Sequence, residues 1–419
     1  MLKDQLIDFM KSFEREHDDF RLYVTFEHVL LHTEDFTAVN YSDEQGLRDL
    51  LEYLCRAGWE GIEEDGVLVG ASKDNQRVTL APGGQVQWKY GPFIDMTDLD
   101  KAYLGFIEGL FEELRRRGMT LLATGHQPVS NAKDIEVVPT AENRCLLAYA
   151  EGNDALKDAL LASARMSVSM QYAHVDNFEK RYQAAAIIQP ALAAFFDNTA
   201  WVDGKENTDV LYNINNILTA DASLYHMEDA MSESFKYVDF ADFLMDAPAI
   251  AEKDGDALVP AGMKKVEDVY ADGISRADIL RTLRYVKPMV SFDENGMTLT
   301  NVDSVPYPLN MAYVLWIKSL MYNPDHITAL QQLIEEMKEE NLVAAHQEIL
   351  RKGLKAPMRE GTAFDLIKDL YFMITLTTGP KEQHYLQPLN ALLFKDVTTK
   401  GVSAKQFANM LASQKSTNA

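Results

Sequence analysis

Few residues in this chain are placed to do chemistry, and they lie mostly in its first two thirds. Glu27 sits on the apolar strand-like stretch Arg21 to His32 (RLYVTFEHVLLH), where a carboxylate is either a ligand or a paired, partly buried group. Val78 to Gln87 (VTLAPGGQVQ) reads as a strand, a Pro82-Gly83-Gly84 turn and an alternating return strand that carries Gln85 and Gln87. Cys145 follows Arg144, which could lower a thiol pKa, but no base is placed beside it to complete a nucleophile. No glycine-rich phosphate loop of the Walker or dinucleotide type is present.

The elements that must position these residues alternate in the first third of the chain. Leu2, Leu6, Phe9, Met10 and Phe13 recur at helical spacing among charged residues, so the N-terminal stretch predicts an amphipathic docking helix. Helical spacing recurs over Gly46 to Ala57, and strand-like pieces follow at Gly66 to Ala71, Gln76 to Ala81 and Gln85 to Lys89. A long helix begins near Thr97 and ends at Arg115-Arg116-Arg117 and Gly118, where cations complement the helix dipole and glycine can cap.

Met119 to Thr124 and Ala164 to Val175 predict further strands, with Met166, Val168, Met170 and Tyr172 on one face. Arg181 to Asp197 predicts a helix that Pro190 should kink or divide. From about Phe235 the chain reads as mainly helical, with Ala251 to Gly262 and Asp293 to Pro306 as surface excursions. The expected architecture is α+β: a single domain over residues 1–419, in which a cupped antiparallel sheet is flanked by helices and residues 305–419 are mainly helical.

Composition narrows the classes. The 419 residues are 47 % hydrophobic, ample for a large core, and 64 acidic against 40 basic residues give a net charge of −24. Such a charge repels nucleic-acid backbones and anionic lipid, so neither nucleic acid nor membrane is an expected partner. Only Cys55 and Cys145 are present, there is no secretory pattern at the start and no apolar run of spanning length, and a reducing cytoplasm is the expected setting.

The order of several short motifs resembles the plant and proteobacterial glutamate–cysteine ligases. Upstream of the Pro-Gly-Gly turn are Trp59-Glu60 and Gly66 to Gly70; downstream are Thr124-Gly125-His126-Gln127-Pro128, Arg165, Gln171, Gln189-Pro190 and the Phe195 to Thr199 run. The likeness is collinear over roughly Leu22 to Asp303, about two thirds of the chain. It implies a glutamine synthetase-like carboxylate–amine ligase fold and an ATP-dependent reaction. In that reaction the glutamate γ-carboxylate is phosphorylated and the cysteine amine attacks the acyl phosphate, with Mg²⁺ held by carboxylates on adjacent strands.

Compared position by position, the resemblance places the metal and ATP shell at Glu27, Val29, Ala81, Gln87 and Thr298, where only Glu27 keeps its carboxylate and four of five are replaced. Gln87 could offer a carbonyl oxygen, Lys89 adds a positive charge, and Tyr212 to Leu218 lacks the arginine of the family's R-S-x-I-W segment. The resemblance further implies a substrate pocket formed by Gln85, His126, Gln127, Arg165, Gln171 and Asp303, and a sheet on which His28, His126 and His174 could meet as a replacement metal site.

Two readings of function follow. One is a non-catalytic or repurposed homologue without a cofactor, which binds an amino acid-like small molecule or a protein partner. The other is an active carboxylate–amine ligase forming a γ-glutamyl or related amide with Mg²⁺ and ATP. A weaker third is an ATP-independent activity through Cys145 or a histidine.

Overall fold

The β-branched and aromatic residues of Leu22–His32 form the central strand of the molecule, buried on both faces for most of its length. The computed structural model describes residues 1–15, 21–172, 175–220, 230, 232, 234–286, 288–395 and 397–417. The first half runs α1 (Leu2–Lys11), β1 (Leu22–His32), α2 (Leu47–Arg56), β2 (Glu60–Glu64), β3 (Val67–Lys73), β4 (Gln76–Leu80), β5 (Val86–Phe93), α3 (Met96–Arg116), β6 (Met119–Leu122), α4 (Ala141–Tyr149), α5 (Asp154–Leu161), β7 (Arg165–Met170) and α6 (Val175–Phe195). Next come β8 (Trp201–Val202), β9 (Lys205–Glu206), α7 (Tyr212–Ala220), α8 (Tyr237–Asp246), β10 (Ala251–Asp254), β11 (Ala257–Pro260), α9 (Val266–Val269), α10 (Arg276–Tyr285), β12 (Val290–Phe292) and β13 (Met297–Asp303). The chain ends with α11 (Leu309–Tyr322), α12 (Pro324–Met337), α13 (Glu339–Lys352), the short pair β14 (Pro357–Met358) and β15 (Gly361–Thr362), α14 (Ala363–Thr377), α15 (Leu389–Phe394) and α16 (Thr399–Thr417).

Among the described residues nine strands build one antiparallel sheet in the order β12-β13-β7-β1-β5-β4-β3-β2, with β6 beside the second half of β1. Side-chain alternation sorts β1 cleanly. Leu22, Val24, Phe26 and His28 point to the covering layer, where Phe26 stacks on Trp88 at 5.9 Å and meets Tyr103 of α3 edge-on at 5.4 Å. Thr25 and Glu27 point the other way, into a cavity on the concave face. The α+β cupped sheet flanked by helices is therefore what the structure shows.

α1 docks as its spacing predicts, with Leu2, Leu6, Phe9 and Met10 buried. The arginine run closes α3 as a helix terminus, each guanidinium paired back to Glu112 or Glu113. Pro190 does not divide α6, which runs unbroken from Val175 to Phe195 against β13 and the C-terminal helices.

One expectation fails, and one strand has no counterpart in the sequence pattern. Asp293 to Pro306 is not a surface excursion: it turns at Asp293 to Gly296 and continues as β13, whose Met297, Leu299 and Val302 are fully buried. The Asp-Glu-Asn-Gly turn signal outweighs the short alternation Met297-Thr298-Leu299-Thr300 behind it. The edge strand β2, largely exposed and rich in glutamate, carries no strand-like composition, although charge at an exposed edge is what discourages unwanted pairing.

Candidate functional site

The concave face of the sheet forms a cavity of about 430 Å³, closed on one side by α4 and α10. Pleating aligns its floor in cross-strand rows. One row is Thr79, Gln87 and Glu27 on β4, β5 and β1. The next is Arg77, Lys89, Thr25 and Ser167 on β4, β5, β1 and β7. Trp88 and Val29 leave the cup open: Trp88 packs behind the sheet, and Val29 joins Leu31, Phe36 and Phe407 in a separate apolar cluster.

Glu27, only 9 % exposed, has both carboxylate oxygens engaged. The Gln87 side-chain amide donates to Oε1 at 2.8 Å, and the Arg165 backbone N–H donates to Oε2 at 2.8 Å. Thr79 Oγ1 donates in turn to Gln87 Oε1 at 2.9 Å, which fixes the amide with its NH₂ toward Glu27. A carboxylate at position 87 would need a cation between it and Glu27, whereas the amide closes the pair by itself. Among the described residues no three histidine, cysteine, aspartate or glutamate side chains gather into a cluster able to hold a metal ion. The residues present therefore do not fit the carboxylate shell that Mg²⁺ would require.

The cup has other charges that the sequence reading did not single out. Glu142 of α4 lines the cavity and accepts from Tyr285 Oη at 2.7 Å, Arg284 Nη1 at 2.8 Å and Arg281 Nε at 3.3 Å, tying α4 to α10 at the rim. Asp293 accepts from Ser169 Oγ at 2.5 Å and from the backbone N–H of Asn295 at 2.7 Å, and Thr298 Oγ1 donates to Ser169 at 3.0 Å. Burial, reinforced by neighbouring Glu294, pushes the Asp293 carboxyl up to about 6. Glu294 lies near Arg77 and Lys89, with Nη1 and Nζ at 4.0 and 3.9 Å. The signal that could have found Asp293 and Glu294 is their place in a tight turn between two strands.

Of the positions singled out by resemblance, Glu27, Ala81, Gln85, Gln87, Arg165 and Thr298 line this cavity. Gln85 reaches across to the carbonyls of Leu161 and Ser163 at 2.9 and 2.7 Å, and Gly83 packs so closely there that a Cβ would overlap the Leu161 carbonyl oxygen. Arg165, 9 % exposed, donates to Asn301 Oδ1 and Ala159 O.

His126, Gln127, Gln171 and Asp303 lie elsewhere. His126 is fully buried and bonded to Asp158 Oδ2 at 3.1 Å, and Gln127 holds its own turn by accepting from Val129 and Ser130. Gln171 accepts from Arg15 Nε at 2.9 Å, just past the end of β7. Asp303 is a latch: it accepts from Asn198 N, Thr199 Oγ1 and Asn213 Nδ2 at 2.9, 2.8 and 3.0 Å, and Gly125 leaves room for it. The three histidines do not form a site. His28 lies behind the sheet against Tyr103 Oη at 2.9 Å, with burial holding its pKa down at about 4; His126 has the partners just given, and His174 lies outside the described residues. Cys145 is buried beside Leu146 and Tyr285, and burial raises its thiol pKa, contrary to an activated nucleophile.

Fold and site together define an α+β protein with a large antiparallel sheet flanked by helices and a polar concave face. Comparison by sequence is more particular. The chain is 19 % identical to rice chloroplastic glutamate–cysteine ligase A over 95 % of its own length and 83 % of that protein. It is 21 % identical to the Arabidopsis enzyme over 95 % and 78 %, and 21 % to the tobacco enzyme over 88 % and 72 %. No family model matches. The chain is thus similar, at 19–21 % identity and over most of its length, to plant glutamate–cysteine ligases.

These relatives overturn the cytoplasmic expectation, since each is a chloroplastic enzyme. Cysteine usage reports a reducing interior without saying which one. Both cysteines are free, and no helix among the described residues is long and apolar enough to cross a membrane.

Proposed function

We propose that this glutamate–cysteine ligase-like protein has given up metal-dependent acyl-phosphate chemistry and keeps the cup as a binding site, as a non-catalytic or repurposed homologue. The observation that carries this reading is the Gln87 amide bonded to Glu27 at 2.8 Å, where the family resemblance calls for paired carboxylates around Mg²⁺. Phosphoryl transfer to a carboxylate needs the metal to neutralise charge on the moving phosphoryl group, and losing even one preorganised group of that kind costs about 10²–10³ in rate.

Ala81 and Thr298 supply no anion at two further positions, and the added carboxylates Asp293 and Glu294 are engaged with Ser169 and with nearby cations. Glu27 remains as the single inherited ligand. The ATP and Mg²⁺ dependence that the family resemblance implies is an ancestral trait in this reading, to which a plastid setting, drawn from the chloroplastic relatives, also belongs. An amino acid-like small molecule or a protein partner would occupy the retained cup, without a cofactor.

The test is an end-point assay of purified full-length protein with Mg-ATP, glutamate and cysteine, following γ-glutamylcysteine and ADP by mass spectrometry. The expected outcome is no product above the protein-free control. Sustained Mg²⁺-dependent turnover that disappears in Glu27→Ala would overturn the reading in favour of an active ligase.

A further inference from the structure

We propose that the mouth of the cup is a metal-independent binding site for a small phosphate-class oxyanion, held by Lys89, Arg77 and Arg284, with the Glu294 carboxylate as a tethered group that the ligand displaces. The inference rests on the reading just given, that the cup no longer assembles a metal shell.

Arg77 and Lys89 are direct cross-strand neighbours on β4 and β5, and both line the cavity with Arg284 of α10. Like charges directly opposed across a ladder destabilise a sheet unless an anion lies between them. Glu294 supplies that anion incompletely. Its separations of 4.0 Å from Arg77 Nη1 and 3.9 Å from Lys89 Nζ are ionic but too long for hydrogen bonds. Among the described residues neither cation donates a hydrogen bond to another side chain, so their donors remain open for a ligand.

Burial pushes the Glu294 carboxyl up, yet Lys89 first, then a backbone N–H, Arg77 and Arg284, hold it below its usual range, in keeping with the cations around it. A second observation points to the same ligand class. The Ser291 hydroxyl, 2 % exposed and lining the same cavity, has no hydrogen-bond partner among the described residues and can donate to an oxyanion.

Charge decides between anions. Glu294 is covalently tethered on the β12–β13 turn, so it competes at an effective concentration of about millimolar or more. A free monocarboxylate offers no more charge than the tethered one and gains little by replacing it. A multiply charged phosphate gains from all three cations, and the cavity of about 430 Å³ leaves room for an organic portion beyond it.

Calorimetric titration of the full-length protein in EDTA, with pyrophosphate as probe and ATP and glutamate as separate arms, tests the site. Pyrophosphate is expected to bind in EDTA in the micromolar-to-millimolar range and to weaken as salt rises or when Mg²⁺, which chelates the probe and cancels part of its charge, replaces EDTA. Lys89→Ala and Arg77→Ala should each weaken it at least tenfold, and Glu294→Gln should tighten it several-fold by removing the competitor. ATP binding in EDTA with the same variant pattern would identify a nucleotide phosphate as a source, whereas pyrophosphate binding alone would limit the site to the small anion. Absence of pyrophosphate binding, a strict Mg²⁺ requirement, or equal affinity across all three variants would overturn the site. Those results would leave the loss of ligase chemistry standing, because that claim is tested by product formation and not by binding in EDTA.

Discussion

Replacing Gln87 by Glu restores the carboxylate pair that the resemblance calls for and should make the cup unstable without a cation. The variant loses the amide-to-carboxylate hydrogen bond of 2.8 Å, a charge-assisted interaction of about 1.5–3 kcal/mol. It also sets a second anion against Glu27, a repulsion of about 4 kcal/mol at 4 Å with an effective dielectric of 20. The side chain can swing toward the open cup and one carboxyl can take up a proton, so the net loss at neutral pH is about 2–4 kcal/mol.

Repulsion raises the folded-state pKa of the pair above its unfolded value. The shared proton stabilises the variant at low pH, and that stability is lost as pH rises through the folded pKa. With an unfolding entropy of about 2.1 cal/mol/K per residue, a chain of 419 residues shifts by about 1 °C per kcal/mol, so a fall of about 2–4 °C is expected at pH 8. Urea unfolding of Gln87→Glu and wild type at pH 5 and 8, with and without 10 mM Mg²⁺ (about a thousandfold over protein), is the assay. The deficit should grow with pH and shrink with Mg²⁺ in the variant only. Equal stability of the two proteins at pH 8 would refute the view that the Gln87 amide closes the pair.

Three further outcomes follow from neighbouring groups. Asp293, whose carboxyl is pushed up to about 6 by burial and Glu294, contributes stability below the unfolded carboxylate pKa that is lost as pH rises to 6; Asp293→Asn should flatten the urea midpoint between pH 4 and 6. His28, held down at about 4 by burial, contributes stability above pH 6.5 that is lost as pH falls toward 4. His28→Gln should reduce that acid sensitivity, and an unchanged slope would count against a buried neutral imidazole. Gly83→Ala should destabilise by about 2–4 kcal/mol because its Cβ meets the Leu161 carbonyl. Gly109→Ala, on the open face of α3, should instead stabilise by about 0.5–1 kcal/mol, and thermal melts of the two should move in opposite directions.

Periodicity made much of the fold legible. The alternation in Leu22 to His32, the Pro-Gly-Gly turn and the helical spacing of α1 and α3 each reflect a local rule that the tertiary structure also obeys. β2 escaped because an exposed edge strand needs no apolar face. β13 escaped because its alternation is short and is interrupted between Leu299 and Val302 by a register shift, where Asn301 takes a positive φ of 63°.

The site was legible in part. Glu27, Gln85, Gln87 and Arg165 converge because strand pairing brings distant segments into register. Asp303 and Gln171 were drawn elsewhere by partners that no spacing announces: the Asn198, Thr199 and Asn213 donors for one, and Arg15 for the other. The basic row at Arg77 and Lys89 depends on the β4–β5 register, which sequence alone does not assign to a cavity.

The most direct single measurement is the affinity of the full-length protein for ATP in EDTA and in Mg²⁺. A cup closed by Gln87 on Glu27 should show no ATP binding that depends on Mg²⁺, and any ATP held in EDTA should be held through Lys89 and Arg77 and weakened in Lys89→Ala. ATP binding that appears only with Mg²⁺ and is abolished in Glu27→Ala would contradict it, and would favour an active metal-dependent ligase.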